Sequence, residues 1–355
     1  MQGLAISNKG IEDITALEIR ELLNAKTELK QGCVIFEIKN LEDLALLCYK
    51  GQSVNRVLLL LDKFKIKKLE DFERISKIDF SEWLKNRTFA ARCEIIDNKE
   101  LSSKEIEIAI GDKIDAKVNL ANPDITLFAY IFNNDCYFGI DFSGDISKRE
   151  YKVFLHRNDM KGTIAYALVR LSDFKEGIFL DPFCGSGTVA IEAALFGSNK
   201  SVNFYNKTKF PFLKFLNIDL NTFDSKEKET NIFGFDELFG HVKSSKNNAK
   251  VAGVKINFSK KEISWISEEF KEIDSIATNA PKLARFSNKI KIETDYKELF
   301  SNAKNALKKG RKIVICCNET ETLKKFAENA GFKVAEERDV NQGEEILKIV
   351  TFLKL

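Results

Sequence analysis

The feature that most constrains this fold is a glycine-rich turn between two apolar segments. Residues 178–180 form a candidate strand, residues 189–196 form a candidate helix, and the sequence DPFCGSGT joins them. Gly185 and Gly187 permit a sharp turn and let a ligand approach without a Cβ in the way. The amides that open the helix are free donors at the positive end of its dipole. Because ligands of open α/β sheets bind at the carboxyl ends of strands, the turn predicts a ligand site.

The segments after the turn continue to alternate between strands and helices. Apolar runs typical of buried strands are followed by stretches with apolar residues near the helical period. This alternation predicts a doubly wound sheet. The predicted strands are residues 232–235, 256–258, 273–277 and 312–316, the helices are 243–252, 296–308 and 323–330, and a strand pair at 333–336 and 347–352 closes the chain.

The N-terminal half contains shorter strands and helices, so the predicted fold class is an α/β doubly wound domain preceded by smaller domains in which strands and helices are mixed, of the α+β class. Residues 1–75 have the order β-α-β-α-β, with strands near 4–6, 33–38 and 57–61 and helices near 14–23 and 41–48. A second group of elements begins near Asp79, with a strand at 87–95, a helix at 105–110, a short strand at 118–120 and a hairpin of 125–132 and 137–141. Residues 155–175 are predicted to form a linking helix.

The composition narrows the class of function. The chain of 355 residues has no apolar run near the ~18 residues that a membrane helix needs. Its 7 cysteines include no CxxC pair, which argues against a zinc site and favours reduced thiols in the cytoplasm. Residues 1–150 contain 22 Lys and Arg against 26 Asp and Glu, and the remainder contains 34 against 27. The basic C-terminal half is compatible with a polyanionic partner.

Acidic residues follow two of the predicted strands. Asp236 ends the strand at 232–235, where a carboxylate can accept hydrogen bonds from ribose hydroxyls. Glu262 follows the next strand and could face an adenine amino group, but a solvated surface glutamate is an equal alternative. The chain has 2 histidines, and neither suggests catalysis: His156 is expected to orient the chain and His241 to lie on the surface.

A short polar segment, Thr278-Asn-Ala-Pro-Lys282, follows the strand at 273–277. The amide oxygen of Asn279 and the backbone carbonyl of Ala280 can accept both hydrogens of an exocyclic amine. That would hold the amine with its lone pair directed at an electrophilic methyl group. Pro281 fixes φ in the loop. The alternative is an ordinary Asn-Ala-Pro turn.

Together these segments resemble the THUMP-domain RNA methyltransferases, and among them the tRNA guanine-N2-methyltransferases such as the archaeal enzymes. The resemblance covers nearly the whole chain and rests on the order and spacing of its segments. These are RTFAAR at 87–92, SSKEI at 102–106, NPD at 122–124, CYFGID at 136–141, DPFCGSGTVAIEAA at 181–194, GFD at 234–236 and NAKVAGV at 248–254.

The resemblance implies the domain organisation and the chemistry. The expected parts are a ferredoxin-like domain at 1–78, a THUMP RNA-binding domain at 79–152, a linker helix at 153–176 and a Rossmann-like methyltransferase domain at 177–355. The expected cofactor is S-adenosyl-L-methionine, with no metal and no membrane contact. The expected partner is tRNA, where the methyl acceptor is the N2 amine of a guanine that leaves its stack. We further expect a cytoplasmic monomer.

The resemblance also assigns three groups of site residues. The catalytic residues are Asn279, Ala280 and Pro281. The cofactor-binding residues are Thr163, Asp181, Pro182, Phe183, Gly185, Gly187, Thr188, Asp236, Glu262 and Asn279. The residues expected to contact RNA are Arg87, Arg92, Lys104, Lys282 and Arg285.

The chain departs from the family at the catalytic motif, Asn/Asp-Pro-Pro-aromatic. Ala280 replaces the first proline, and Lys282 replaces the aromatic residue that would stack on the flipped base. Such stacking is worth ~1–3 kcal/mol per base. Three functions therefore stay open: a tRNA guanine-N2-methyltransferase, a catalytically silent RNA-binding protein of the same fold, and a methyltransferase on another amine in ribosomal RNA, DNA or a protein glutamine.

Overall fold

The computed structural model describes residues 1–156, 159–282 and 288–355. The chain forms two compact units, each of which contains strands and helices. Unit 1 comprises Met1–Ser7, Thr15–Ile146 and Asn203–Phe223, and unit 2 comprises Asn8–Ile14, Ser147–Val202 and Asp224–Leu355. The predicted α/β fold class is confirmed. The three domain boundaries set from the sequence remain a prediction.

Unit 1 is built on one eight-stranded sheet with the strand order β2-β3-β1-β4-β8-β7-β5-β6. A 3-10 helix, Leu69–Lys77, follows the fourth strand. The strands are β1 Gln2–Ser7, β2 Thr27–Lys30, β3 Cys33–Glu37, β4 Val54–Lys65, β5 Thr88–Ile96, β6 Lys117–Val118, β7 Ile125–Phe132 and β8 Asp135–Asp141. The helices are α1 Glu12–Leu23, α2 Leu41–Lys50, α3 Ser81–Leu84 and α4 Ser103–Gly111.

The first six elements of the chain have the order β-α-β-β-α-β, which is the ferredoxin-like arrangement. The sequence pattern predicted only three strands here and missed β2. That strand is polar and lies at the edge of the sheet, and its one large apolar side chain, Leu29, is 49% exposed. The central strands β1 and β3 are almost entirely buried, so apolar periodicity reveals them.

The aromatic insertion that the sequence places between a helix and a strand of the C-terminal half contributes to unit 1. Residues 203–223 supply buried Phe210, Phe212 and Leu220 to the unit 1 core. The ring of Phe212 stacks on Phe142, with 6.2 Å between centroids. Asn203 donates from its side chain to the carbonyl oxygens of Cys48 and Tyr49, at 3.2 and 3.0 Å. These residues complete a core whose strands come from the N-terminal half.

Unit 2 contains a seven-stranded sheet with the order β11-β10-β9-β12-β13-β15-β14. All its strand pairs are parallel except those made by β15, which is antiparallel to both neighbours. The strands are β9 Ile178–Asp181, β10 Asn231–Asp236, β11 Asn257–Lys260, β12 Ser275–Asn279, β13 Lys312–Cys317, β14 Phe332–Gln342 and β15 Glu345–Lys354. The helices are α5 Gly162–Leu171, α6 Thr188–Ser198, α7 Phe239–Ala252, α8 Trp265–Glu269, α9 Lys289–Ala306 and α10 Thr320–Asn329.

The central strands of unit 2, such as β9 and β13, are mostly apolar because helices cover both faces of the sheet. In β13, Val314 and Cys316 pack with α5, α6 and α7, whereas Ile313 and Ile315 pack with α9 and α10. Two cores therefore share one sheet, which is the doubly wound arrangement that the alternating pattern predicts.

The predicted linking helix at 155–175 is too long. The helix is Gly162–Leu171, and its N-cap Lys161 has an extended backbone. Asp173, two residues after the helix, adopts a left-handed backbone with φ +57°, which is incompatible with a continuing helix. The predicted fourth strand is also displaced, since β12 ends at Asn279 rather than at residue 277.

The strand order places a topological switch beside β9, between β10 and β12. The helices that follow β9 and β10 pack on one face of the sheet, and the helix that follows β12 packs on the other. The chain therefore leaves the carboxyl ends of these strands in opposite directions, which opens a crevice for ligands. In the described residues, no helix has both the length and the apolar character that a membrane crossing requires. The same ranges contain no cluster of His, Cys, Asp and Glu suited to a metal ion.

Candidate active site

A cavity of about 600 Å³ lies in unit 2 at the carboxyl ends of β9, β10 and β12. It opens where the topological switch predicts a ligand site. Its lining from the strand ends and turns includes Asp181, Pro182, Phe183, Cys184, Gly185, Ser186, Thr188, Asp236, Glu237, Leu238, Glu262, Asn279, Ala280 and Pro281. His156, Asp159, His241, Lys261, Lys291, Thr294, Asp295 and Glu298 also line it.

The glycine-rich turn is held by backbone hydrogen bonds. The amide of Cys184 donates to the carbonyl of Phe235 at 2.8 Å, and the amide of Gly187 donates to the carbonyl of Cys184 at 2.7 Å. Gly187 has φ +87°, and a Cβ there would lie 2.9 Å from the Cβ of Ser245. Gly185 has φ +51°, and a Cβ there would meet nothing within 4 Å. Gly187 is thus required by the fold, whereas Gly185 keeps the cavity open.

Asp181 is the buried carboxyl at the end of β9. It is 1% exposed and accepts a hydrogen bond from the hydroxyl of Thr278 at 2.6 Å. Burial raises the pKa of Asp181 to about 7, although the Thr278 hydrogen bond acts in the opposite direction. The bond also ties the end of β9 to β12, which carries Asn279.

Asp236 ends β10 and faces the turn. Its Oδ2 accepts from the amide of Gly185 at 3.0 Å, and its Oδ1 accepts from the amide of Leu238 at 2.9 Å. The Nδ1 of His241 lies 3.0 Å from the same Oδ1. These contacts fix the carboxylate beside the cavity, where the sequence predicts a ribose-binding acid.

The segment after Asn279 is anchored from three other elements. The amide of Ala280 donates to the carbonyl of Cys316 on β13 at 3.0 Å, and the hydroxyl of Tyr296 on α9 donates to the carbonyl of Pro281 at 2.6 Å. Lys282 forms an ion pair with Glu345 on β15 at 2.6 Å. Since proline has no amide hydrogen, the hydrogen bond of Ala280 is one that the family's first proline could not make.

The structure brings most of the predicted cofactor and catalytic residues to the cavity. Two predicted cofactor residues are absent from the described lining. Thr163 is fully buried and donates to Asn8 at 2.9 Å, and Gly187 lies behind the turn. The cofactor and catalytic roles of these residues remain predictions.

The described residues predicted to contact RNA are divided between the two units. Arg87 and Arg92 donate to backbone carbonyls within unit 1, and Lys104 is exposed there. Lys282 is absent from the cavity lining of the described residues and pairs with Glu345 instead. Arg285 lies outside the described residues. The RNA-binding assignments therefore also stay predictions.

The prediction that His241 lies on the surface misses its place in the site. Its side chain is 31% exposed, lines the cavity and contacts Asp236. His241 follows Asp236 by five residues, at the start of α7, and this spacing could have predicted that its side chain contacts Asp236. His156 also lines the cavity, but the contact that places it joins its segment to Asn248, more than 90 residues away. No local pattern reports such a contact.

Comparisons with known proteins agree with both units. The family model described as RMKL-like, methyltransferase domain matches residues 149–348, and the THUMP domain model matches residues 70–141. The tRNA (guanine(6)-N2)-methyltransferase of Methanocaldococcus jannaschii is 31% identical over 94% of this chain and 95% of that protein. The enzyme of the same name from Archaeoglobus fulgidus is 28% identical over 97% of this chain and 90% of that protein.

The fold is also that of solved structures. SMU.472 complexed with SAH has a TM-score of 0.80 at 20% identity, covering 100% of this chain and 98% of that one. A THUMP domain, a methyltransferase domain and relatives that match along almost the full chain all occur together here. The chain belongs to the THUMP-domain RNA methyltransferases.

Proposed function

We propose that this protein transfers a methyl group from S-adenosyl-L-methionine to the N2 amine of guanine 6 in tRNA. The cavity that joins the glycine-rich turn, Asp236 and Asn279 carries the proposal. The two archaeal relatives named tRNA (guanine(6)-N2)-methyltransferase support the substrate and the position. We place the reaction in the cytoplasm and assign it to a monomer.

The residues around the cavity fit this cofactor. A volume of about 600 Å³ lies within the range of small-molecule sites. Gly185 leaves space beside the turn, and the start of α6 presents backbone donors. Seven carboxyl side chains line the cavity against two lysines: Asp159, Asp181, Asp236, Glu237, Glu262, Asp295 and Glu298 against Lys261 and Lys291. This excess of acids favours a cationic ligand.

When bound, S-adenosyl-L-methionine supplies a methyl group made electrophilic by a sulfonium. The Oδ1 atom of Asn279 and the carbonyl of Ala280 would accept the two hydrogens of the guanine amine. That would orient the lone pair of the nitrogen at the methyl carbon. The N–C bond would form as the methyl–sulfur bond breaks, with its electron pair left on the sulfur of the departing S-adenosylhomocysteine, and the amine proton would pass to water. Catalysis by alignment can supply several powers of ten in rate.

The anchors of the Asn279 segment support an active enzyme over a silent one. Backbone geometry at Ala280 depends on the Cys316 carbonyl rather than on a proline ring, and Tyr296 holds the next carbonyl. The carbonyl of Ala280 belongs to a backbone fixed on both sides. The substitution of the first proline therefore leaves the means of holding an amine in place.

The test is methylation of tRNA transcripts with labelled S-adenosyl-L-methionine, followed by nucleoside analysis. Transcripts with guanine 6 should yield N2-methylguanosine, and the matched transcript with adenine 6 should not. Label at another guanine of tRNA, or in ribosomal RNA only, would replace the substrate assignment. Binding of tRNA and cofactor without turnover on any RNA would favour the silent protein.

A further inference from the structure

The chain contains only 2 histidines, and the fold brings both to the cofactor cavity. The ring of His156 packs against the ring of His241, with 4.2 Å between centroids and 45° between planes. His241 lies on α7, whereas His156 lies in the segment before α5. Two rings from separate segments thus form one wall of the site.

The contact of His241 with Asp236 has a defined direction. A carboxylate can only accept hydrogen bonds, so the Nδ1 of His241 must carry the proton in the 3.0 Å contact with Oδ1. The amides of Gly185 and Leu238 donate to the same carboxylate. Among the described residues, the imidazole of His241 is the one side chain that donates to this carboxylate.

His156 is held in place from its backbone. Its amide donates to Asp159 at 3.2 Å, and Asp159 accepts from the hydroxyl of Ser186 in the glycine-rich turn at 2.7 Å. Asn248 on α7 accepts from the amide of Phe154 at 3.0 Å and donates to the carbonyl of Ser186 at 2.9 Å. The histidine segment and the turn therefore share the same anchors.

The Nε2 atom of His156 is buried and has no hydrogen-bond partner in the described structure. Leaving a buried polar atom without a partner costs free energy. Because the ring lines the cavity, a polar group of a bound ligand would remove that cost. The ring of His156 thus offers the site a hydrogen-bonding atom that no described residue uses.

We propose that His241 is a positioning residue for the ribose-binding carboxylate of Asp236, and that His156 backs its ring and presents Nε2 to the cofactor. The inference rests on the proposed function, because it takes Asp236 as the group that accepts the ribose hydroxyls. His241 acts through Asp236 by fixing the orientation of its carboxylate, which is then ready to accept two hydroxyls without rearrangement.

The first measurement is the tautomer of each ring by ¹⁵N NMR at pH 8, on protein labelled in histidine. Two residues give two sets of ring signals, and His156→Phe assigns them. His241 should carry its proton on Nδ1, and its signals should shift when S-adenosylhomocysteine is added. A His241 protonated on Nε2 alone would overturn the proposal. This readout needs no variant of His241 to fold.

The second measurement is calorimetric titration with S-adenosylhomocysteine. His241→Leu should weaken binding about tenfold, as expected on loss of a hydrogen bond to a charged group. His241→Asn should restore it, since the amide nitrogen of asparagine can occupy the place of Nδ1. Lys243→Leu changes an exposed residue on the same helix and should bind like the wild type. His156→Phe should weaken binding without lowering the melting temperature, because it removes an unsatisfied nitrogen and retains a ring.

The outcomes separate the two proposals. If the wild type does not bind S-adenosylhomocysteine, the proposed function fails and the inference fails with it. If the wild type binds and His241→Leu binds equally well, the proposed function stands and the role of His241 is overturned. If asparagine does not restore what leucine loses, the effect belongs to ring packing, and the positioning role is likewise overturned.

Discussion

The glycine-rich turn after β9 and the loop of residues 279–282 after β12 lie on neighbouring strands but are held in different ways. The turn is shaped by two left-handed glycines and by the Gly187 amide, which donates to the Cys184 carbonyl three residues earlier. Its contacts with Phe235 and Asp236 then hold it against the end of β10. The loop is fixed by residues far along the chain: Cys316, Tyr296 and Glu345. Steric necessity therefore dictates the sequence of the turn, whereas the loop can exchange residues if its distant anchors compensate.

The strongest test of the comparison removes the one loop side chain that we expect to meet the acceptor. Asn279→Ala should lower the methylation rate by about 10²–10³-fold, the loss known for a single hydrogen-bonding group at a reacting centre. Initial rates on tRNA measure the effect. Asn257→Ala, at an exposed position at the start of β11, is the control and should retain full activity. An equal loss in both variants would mean that Asn279 has no special role.

A pair of glycine variants tests whether the turn is governed by backbone sterics. Gly187→Ala should lower the free energy of unfolding by at least about 2 kcal/mol, because it adds a left-handed alanine and a contact of 2.9 Å with Ser245. Gly185→Ala should cost less stability, since its Cβ meets nothing within 4 Å. It should instead impair binding of S-adenosylhomocysteine. Urea unfolding and calorimetry separate the two effects, and equal stability losses would refute the distinction.

The proline of the family's motif should lower the free energy of unfolding if it is placed in this loop. Ala280→Pro removes the amide that donates to the carbonyl of Cys316. We expect the free energy of unfolding to fall by about 1–2 kcal/mol, the penalty for a buried acceptor left unpaired. Ala280→Ser retains the amide and is the matched control. A proline variant as stable as the wild type would show that the hydrogen bond does not hold this loop.

The buried acid of the turn should give the unfolding free energy a pH dependence. Asp181 titrates with a pKa of about 7 in the folded protein, above the usual value of a carboxyl group. The folded state thus binds the proton more tightly, and this contribution to stability is lost as the pH rises through 7. Between pH 6 and 7 the wild type should lose about 1 kcal/mol relative to Asp181→Asn. Parallel pH profiles in urea unfolding would exclude this titration.

The smallest effect is expected for the ion pair of the loop. The Lys282 side chain is 17% exposed and that of Glu345 is 53% exposed, so solvent weakens their attraction. Lys282→Met should cost about 0.5 kcal/mol in unfolding free energy and leave the affinity for S-adenosylhomocysteine unchanged. Glu345→Gln should behave alike. A large loss of cofactor affinity in either variant would make the loop part of the cofactor site rather than the acceptor site.

The difference between features set by the local sequence and features set by distant contacts also explains what could be predicted from the sequence. The buried strands and the turn are determined locally, and periodicity and glycine spacing identify them. The exposed edge strand β2 and the 3-10 helix Leu69–Lys77 carry no such signal. The ion pair of Lys282 with Glu345 and the ring pair of His156 with His241 depend on tertiary contacts between segments far apart in the chain. Sequence patterns therefore predicted a site at the strand ends but did not predict the two histidine rings that line it.

The membership of residues 203–223 in the core of unit 1 has a consequence for synthesis on the ribosome. The strands of unit 1 have all emerged once residue 146 has, but Phe210, Phe212 and Leu220 are then still missing. At roughly 5–20 residues per second, the nascent chain waits for seconds with an unfinished core. During that interval β9, the turn and α6 emerge. A chaperone that covers exposed apolar surface would therefore meet unit 1 before its last aromatic residues arrive.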